Sequence, residues 1–351
     1  MKKSGIEKYR NQIFLVALIV VVGVLPLLFT SNYHISTMIF IGLYAMLAVG
    51  LCLLMGYTGQ VSLGHAAFFG LGAYGTGILT TKLNMNPWLA MIAAAIFTGL
   101  VAYVVGYPMF RLKGNNLAMG TLGLGIIIYI MFVEMSNLTG GPSGLTGIPS
   151  PSILGFTFDQ DIKFYYLIWA FALLFLILSL NIVNSRVGRA LRSINGSEIA
   201  AETLGVNATK YKVQILVVSA VYASIAGSLY AYYLTVLNPS PFSFSFSVEI
   251  VVMVVIGGLS SVWGSLFGAA ATTLLSEFLR GVIPELFKSA GGKGASGEYE
   301  IVVFGIILMG VMIFMPEGLA LGVVNLIKRW RHDKAPKATV LEGESALIEA
   351  N

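Results

Sequence analysis

Charged residues are scarce in this chain: Asp, Glu, Lys and Arg make up 11% of its 351 residues, whereas 57% are hydrophobic. A soluble domain carries about 25% charged residues, so the composition excludes a soluble globular protein. It predicts an all-α, polytopic integral membrane protein, because helices satisfy their own backbone hydrogen bonds inside lipid. The net charge of +5 does not indicate nucleic acid binding, since the basic residues gather near the two ends and in one internal segment.

Cysteines, histidines and phosphate-binding motifs are also few. The single cysteine, Cys52, lies in an apolar run, which excludes a disulfide framework. The three histidines, His34, His65 and His332, are too scattered for metal-ligand spacing. The segment Gly291–Gly294 contains a lysine but lacks the upstream Gly and the following Ser or Thr of a phosphate-binding loop. We therefore expect no enzyme active site and no cofactor bound by this chain. If ATP drives the protein, ATP and Mg²⁺ are used by partner subunits.

Long apolar runs fill the chain and predict membrane-spanning helices, which need about 20 apolar residues each. The stretch Val248–Leu279 is slightly short for two full crossings. We expect two short or broken helices there, interrupted around Gly257–Gly264, with a re-entrant hairpin as the alternative. Residues 13–322 are thus predicted to form one transmembrane domain of about ten segments. The other runs are Ile13–Thr30, Ile35–Met55, Val61–Thr81, Trp88–Phe110, Leu117–Met135, Phe164–Val183, Val213–Val236 and Tyr299–Gly318.

The distribution of basic residues predicts the orientation. Lys and Arg cluster in residues 1–12, in the internal segment 185–212 and in residues 323–351. Cytoplasmic parts of membrane proteins carry such an excess, so both termini are predicted to be cytoplasmic. The segment 136–163 falls on the opposite side and is rich in Gly, Pro and Ser, which predicts an ordered external loop.

The polar residues 185–212, called the coupling segment below, lie between two long apolar runs. Ser197 is placed to cap a helix over Glu198–Leu204 that ends at Gly205. A short amphipathic helix of this shape fits a groove on a soluble partner, so we interpret it as a docking element. A plain positive cytoplasmic loop is the alternative interpretation. One side of the helix carries Ile199, Thr203 and Val206, and another carries Glu198 and Glu202, which are neighbours at i,i+4.

A second polar stretch lies at a boundary between spans, where Thr58, Gln60, Ser62 and His65 alternate with glycines. A break of this kind lines the pathway of a zwitterionic solute in some transporters, and a tight turn between two helices is the alternative. Charged residues within the spans are few, which argues against an ion-coupled carrier. Glu249 is the candidate for a role at membrane depth; an interfacial charge is the alternative.

Several motifs, in order, resemble the LivM-type permeases of branched-chain amino acid ABC transporters. The resemblance covers about residues 35–322, which is most of the predicted transmembrane permease domain. Its motifs are Gly56–Tyr74 (GYTGQVSLGHAAFFGLGAY), Arg111–Leu122 (RLKGNNLAMGTL), Leu138–Ile148 (LTGGPSGLTGI), Ser185–Leu191 (SRVGRAL), Glu198–Asn207 (EIAAETLGVN), Val255–Leu259 (VIGGL) and Pro316–Leu319 (PEGL).

The resemblance implies a complex in the inner (plasma) membrane. A second, LivH-type permease would complete the pore, two ATP-binding subunits would drive it, and a solute-binding protein would deliver the substrate. Glu198, Ala200, Ala201 and Gly205 would contact the ATPase, and we add Glu202 from the same helix. The chain departs from the family at Lys113–Leu117 and elsewhere, so urea, short amides or other amino acids remain alternative substrates. An ion-coupled secondary carrier remains an alternative mechanism.

Overall fold

The computed structural model describes residues 3–28, 31–112, 114–153 and 156–289, together with residues 305, 306 and 309. Long helices dominate these residues. The helices are α1 (Lys3–Leu28), α2 (Asn32–Thr58), α3 (His65–Lys82), α4 (Pro87–Met109), α5 (Asn115–Glu134), α6 (Ser136–Thr139), α7 (Asp161–Asn184), α8 (Arg186–Gly196), α9 (Glu198–Thr203), α10 (Ala208–Leu234), α11 (Phe244–Gly257) and α12 (Val262–Ser289). The short strands are β1 (Leu145–Thr146), β2 (Ser152–Ile153), β3 (Phe156–Thr157) and β4 (Val236–Leu237).

Six of the described helices, α2, α4, α5, α7, α10 and α12, are long and apolar enough to cross a membrane. This confirms an all-α, multi-pass membrane protein. The apolar parts of two further helices are shorter, Ile13–Pro26 in α1 and Phe244–Gly257 in α11. The predicted last span, Tyr299–Gly318, lies outside the described residues except for positions 305, 306 and 309.

Helix α10 lies at the centre of the bundle and packs against α2, α3 and α4. Small residues allow its backbone to approach α3 closely. A Cβ added at Gly72 would lie 2.1 Å from the carbonyl oxygen of Ser224, and one added at Gly227 would lie 2.0 Å from that of Phe69. The hydroxyls of Thr76 and Ser228 are hydrogen bonded at 2.7 Å across the same contact. Close backbone approach with polar links between helices is typical of packing in membranes.

Helix α3 begins inside the bundle, four residues later than the predicted span Val61–Thr81. The Nε2 of His65, its first residue, lies 3.1 Å from the hydroxyl of Ser219, the twelfth residue of α10. Ser219 also lies beside Gly50, eight residues before the end of α2. At 1.5 Å per residue, α3 therefore starts about 12–16 Å from the bundle end that carries α8 and α9. Residues 59–64 cross this depth without helical structure, which membrane proteins allow where protein covers the backbone.

Helix α11 also starts in the interior, because the hydroxyl of Ser247 accepts a hydrogen bond of 3.0 Å from the backbone N–H of Ala66 in α3. It runs to the α8–α9 end, where a Cβ added at Gly56 of α2 would lie 1.7 Å from the carbonyl oxygen of Leu259. α3 and α11 thus begin side by side and lead towards opposite ends of the bundle.

The expected interruption near residues 257–264 is present, since α11 ends at Gly257 and α12 begins at Val262. The expectation of two short helices is wrong for the second one. α11 has 14 residues, but α12 has 28 and continues past the predicted end at Leu279. The charged residues Glu277 and Arg280 lie within α12, and both line a cavity.

The predicted external loop, residues 136–163, is ordered in its described part and contains strands that the sequence did not predict. β1 pairs with β4, which follows α10, and β2 pairs with β3. The Lys163 ammonium lies 2.7 Å from Asp159, and this hydrogen bond lowers the pKa of the Asp159 carboxyl from its ordinary value. The loop therefore folds back onto the bundle end opposite α8 and α9.

Candidate coupling surface and solute pathway

Two serines begin the helices of the coupling segment. The Ser185 hydroxyl accepts from the N–H of Val187 at 3.1 Å and caps α8. The Ser197 hydroxyl accepts from the N–H of Ala200 at 3.3 Å and caps α9, as predicted. Such side chains satisfy helix N–H groups that have no partner within the helix.

Gly205 ends α9 in the left-handed conformation, with φ of +84°. Its N–H bonds the carbonyl of Glu202, and the N–H of Val206 bonds that of Ala201, both at 3.0 Å. This pair of bonds is a Schellman motif, which favours glycine because other residues are strained at such φ. The predicted helix end at Gly205 is confirmed.

Beneath α9 lies a small apolar cluster of Ile194, Ala201 and Ala208, against which Val206 and Tyr211 pack. The cluster joins α8, α9 and the start of α10. Ala201, a predicted coupling residue, is buried in this cluster, so its methyl group packs α9 against α8 and α10. The predicted coupling residues Ala200, Glu202 and Gly205 are exposed.

Glu198 forms an ion pair that the sequence analysis missed. Its carboxylate lies 2.7 Å from the ammonium of Lys212 on α10, whose side chain is only 4% exposed. A buried ammonium group needs a counter-charge, so this pair fastens the start of α9 to the bundle. In the sequence, Lys212 stands directly before the apolar run that begins at Val213, and no local pattern predicts its pairing with Glu198.

Two large apolar side chains on the coupling segment point to solvent. Ile199 is 74% exposed and Leu204 is 83% exposed. Ile199 belongs to the helix side predicted from the sequence, whereas Leu204 does not. Paired apolar side chains beside acidic ones at the tip of a rigid element form a surface suited to a partner's groove.

Helix α8 connects this surface to α2. The Asn195 side chain donates a hydrogen bond of 3.2 Å to the carbonyl of Gly56. A Cβ added at Gly59 would lie 2.5 Å from the Asn195 side-chain oxygen. Three arginines of α8, Arg186, Arg189 and Arg192, are exposed. Asn195 therefore joins the coupling segment to the end of α2, where the polar stretch begins.

The predicted pathway residues in that stretch fall into two groups. Thr58 donates to the carbonyl of Leu54 at 2.5 Å, and Gln60 donates to that of Thr58 at 3.0 Å, so both stabilise the local turn. Ser62 and His65 lie deeper and are buried. Within the described part of the chain, neither the Ser62 hydroxyl nor the His65 Nδ1 has a hydrogen-bond partner. Buried polar atoms of this kind indicate a place where a polar group can bind.

Glu249 lies elsewhere, in a cavity of about 290 Å³ between α2, α11 and α12, called the polar cavity below. Its lining is Tyr33, Ser36, Thr37, Phe40, Tyr44, Glu249, Thr273, Ser276, Glu277 and Arg280. None of the other predicted pathway residues lines it. The α2 and α12 residues recur at helical spacing and form one stripe on each helix. That spacing is visible in the sequence alone.

No group of three or more His, Cys, Asp or Glu side chains arranged to hold a metal ion occurs among the described residues.

Comparison with known proteins identifies the family. A family profile described as "Branched-chain amino acid transport system / permease component" matches residues 33–312. The LivM permease proteins of Salmonella typhimurium and Escherichia coli, both named as high-affinity branched-chain amino acid transport system components, are 28% identical over 337 residues. Each match covers 88% of this chain and 75% of the relative. The LivH permease protein of Salmonella typhimurium is 25% identical over 291 residues, which covers 79% of this chain and 90% of LivH. No solved structure matches the chain. The chain belongs to the family of permease components of branched-chain amino acid transport systems.

Proposed function

We propose that this chain is the membrane permease subunit of an ATP-binding-cassette importer that moves branched-chain amino acids. The observation that carries the proposal is the exposed coupling element α8–α9, which is fastened to the bundle by the Glu198–Lys212 ion pair and by the Asn195–Gly56 hydrogen bond. A rigid lever of this kind suits a subunit that is moved by a soluble partner. The family match and the LivM relatives support the substrate class.

The partners we propose are two ATP-binding subunits, a LivH-type permease and a solute-binding protein. The similarity of this chain to LivH over 79% of its length supports a pore built from two permeases of like architecture. The ATP-binding subunits would use ATP and Mg²⁺, and this chain would bind neither.

On the coupling surface, Ile199 and Leu204 would insert into a groove of the ATP-binding subunit. Ala200, Glu202 and Gly205 would lie at the same contact. Glu198 would act mainly by holding α9 in place, and Ala201 would act from beneath it. Burial of the two apolar side chains would supply most of the contact energy, since fully burying a Leu or Ile side chain is worth about 1.5–3 kcal/mol.

In this proposal the α8–α9 end faces the cytoplasm of a cell with the protein in its inner (plasma) membrane. The exposed arginines of α8 support that orientation through the positive-inside rule. Both termini would be cytoplasmic, and about ten membrane segments would include α3 and α11 as helices that begin within the bilayer.

The pathway we propose runs along the bundle interior where α3 and α11 begin. Ser62 and His65 would offer polar atoms to the solute at that depth, and Thr58 and Gln60 would shape the turn that leads to them. Glu249 would contribute from the polar cavity. Non-helical backbone between helix ends at membrane depth is a common setting for substrate sites in transporters.

The test is reconstitution of the complete assembly in vesicles, with ATP on the side of the ATP-binding subunits. We expect leucine, isoleucine and valine to accumulate against a gradient only when ATP and the binding protein are both present. An ion-coupled carrier would instead take up solute without the ATP-binding subunits and lose uptake when an uncoupler is added. Accumulation of urea or short amides, and not of branched-chain amino acids, would assign the other substrate class.

A further inference from the structure

We propose that the polar cavity is a binding site for one α-amino acid in its zwitterionic form, with Arg280 facing its carboxylate and Glu249 facing its ammonium group. The inference rests on the proposed function, since it takes branched-chain amino acids as the solute, and it deepens that function by naming the site. The volume of about 290 Å³ is near the lower end of the range of about 300–1,000 Å³ for small-molecule sites.

The polar cavity leads from one end of the bundle to its interior. Tyr33 and Arg280 lie at the bundle end opposite α8 and α9, where the Tyr33 hydroxyl donates to the Glu277 carboxylate. Tyr44 lies eleven residues further along α2, or about 16 Å deeper. Glu249, near the start of α11, lies at the inner end. A solute that entered at the Tyr33 end would thus reach the depth at which α3 and α11 begin.

The polar cavity contains ionisable side chains within the helix bundle. Ionisable groups inside a membrane are costly and usually mark a solute pathway or a water-filled cavity. Arg280 and Glu249 carry opposite charges and line the same cavity. A zwitterion between the two would place a carboxylate beside the Arg280 guanidinium and an ammonium group beside the Glu249 carboxylate, so a bound amino acid would compensate both charges better than water does.

The aliphatic side chain of the solute would find apolar surface on α2. The ring of Tyr44 packs 6.0 Å from that of Phe40 and 5.4 Å from that of Phe246, measured between centroids. Phe40 also packs against Tyr233 at 6.0 Å. These contacts hold the two α2 rings in place, so the cavity combines a fixed apolar wall with separated charges. Small hydroxyls between them, on Ser36, Thr37, Thr273 and Ser276, leave room for branching.

Cysteine labelling tests the site in the intact assembly. Cys52 is buried, so the wild-type chain sets the background of labelling by N-ethylmaleimide. Thr273→Cys places a thiol in the polar cavity, and Thr272→Cys is the matched control, because Thr272 is buried and does not line the cavity. Both threonine hydroxyls bond the carbonyl four residues earlier at 2.8 Å, so the two changes remove the same local contact.

We expect Thr273→Cys to label faster than wild type and the control to stay near background. Leucine at ten times its dissociation constant should slow that labelling about tenfold. Isopentylamine, which lacks the carboxylate, and 4-methylpentanoate, which lacks the ammonium group, should protect far less. Equal protection by either compound, or no protection by leucine, would overturn the proposal.

Transport kinetics give a second readout. Glu249→Gln and Arg280→Gln should each raise the KM for leucine about tenfold or more, because each removes the charge that faces one charged group of the solute. Glu134→Gln, at the exposed end of α5 and outside the cavity, is the control and should keep the wild-type KM. Unchanged KM in both cavity variants would overturn the site.

The failure of the site and the failure of the proposed function can be distinguished. If leucine is taken up but never protects Thr273→Cys, the site is wrong and the proposed function stands. If the assembly takes up no branched-chain amino acid, the proposed function itself fails.

Discussion

The ammonium of Lys212 on α10 lies 2.7 Å from the carboxylate of Glu198 on α9. Lys212 is almost completely buried, whereas Glu198 is partly exposed at the surface of the coupling segment. The pair therefore connects the short helix that carries the exposed apolar side chains to the central helix of the bundle.

Breaking this pair should detach α9 from α10. Glu198→Gln leaves the Lys212 ammonium buried without its counter-charge, and we expect a cost of about 1–3 kcal/mol together with reduced ATPase stimulation by the binding protein. Glu202→Gln, an exposed carboxylate on the same helix, is the matched control for the stability measurement only, because Glu202 belongs to the proposed contact with the ATP-binding subunit. A double-mutant cycle with Lys212→Met, read by thermal unfolding of the purified complex, should give a favourable coupling energy. A coupling energy of zero would show that the two groups do not stabilise each other.

Gly205 should tolerate only residues that adopt a left-handed backbone. We expect Gly205→Val to destabilise the end of α9 by at least about 1–2 kcal/mol and to reduce coupled transport, because a β-branched residue is strained at φ of +84°. Gly205→Asn should restore most activity, since asparagine visits this region. Gly196→Ala is the control, because a Cβ there meets open space and its φ is not positive. Equal uptake by the Val and Asn variants would contradict the conformational argument.

The exposed apolar pair should matter for assembly and not for folding. Ile199→Ser and Leu204→Ser remove apolar surface that is free of contacts with the bundle core, so thermal stability of the isolated permease should stay within about 0.5 kcal/mol. Recovery of the ATP-binding subunits on affinity purification should fall in both variants and most in the double variant. Leu83→Ser, a leucine that is 65% exposed at the other bundle end, should leave recovery unchanged. Full recovery from the double variant would place the contact elsewhere.

Asn195 should transmit movement from the coupling segment to α2. Asn195→Ala removes the hydrogen bond to the Gly56 carbonyl, so we expect ATP hydrolysis to continue while the number of leucine molecules imported per ATP falls. The measurement is parallel uptake and phosphate release in the same vesicles. Ser193→Ala, on the exposed side of α8, should keep the wild-type ratio. An unchanged ratio in Asn195→Ala would show that the bond is only structural.

The features predictable from the sequence are those that depend on neighbouring residues. Ser197 and Gly205 marked the two ends of α9, since a capping side chain and a left-handed glycine act locally. The Glu198–Lys212 pair depends on how α9 folds back against α10, and no local pattern indicates that.

The depth in the membrane at which a helix begins was also not predictable from the sequence. An apolar run from Val61 looked like one continuous span, because hydropathy does not distinguish extended backbone that protein covers from helix. The α3 helix instead starts at His65, where contacts with α5, α10 and α11 replace the missing helical bonds. Glu277 and Arg280 lie near the end of an apolar run in the sequence, yet α12 continues to Ser289, and both side chains line the cavity between α2, α11 and α12.

The 14 residues of α11 give it a length of about 21 Å, against a hydrocarbon thickness of about 30 Å. Such a segment gains too little from lipid to insert by itself during synthesis. We therefore expect α11 to insert only together with the helices that cover it, α2, α3 and α12. Substitutions that loosen the Ser247–Ala66 contact should accordingly lower the yield of inserted protein.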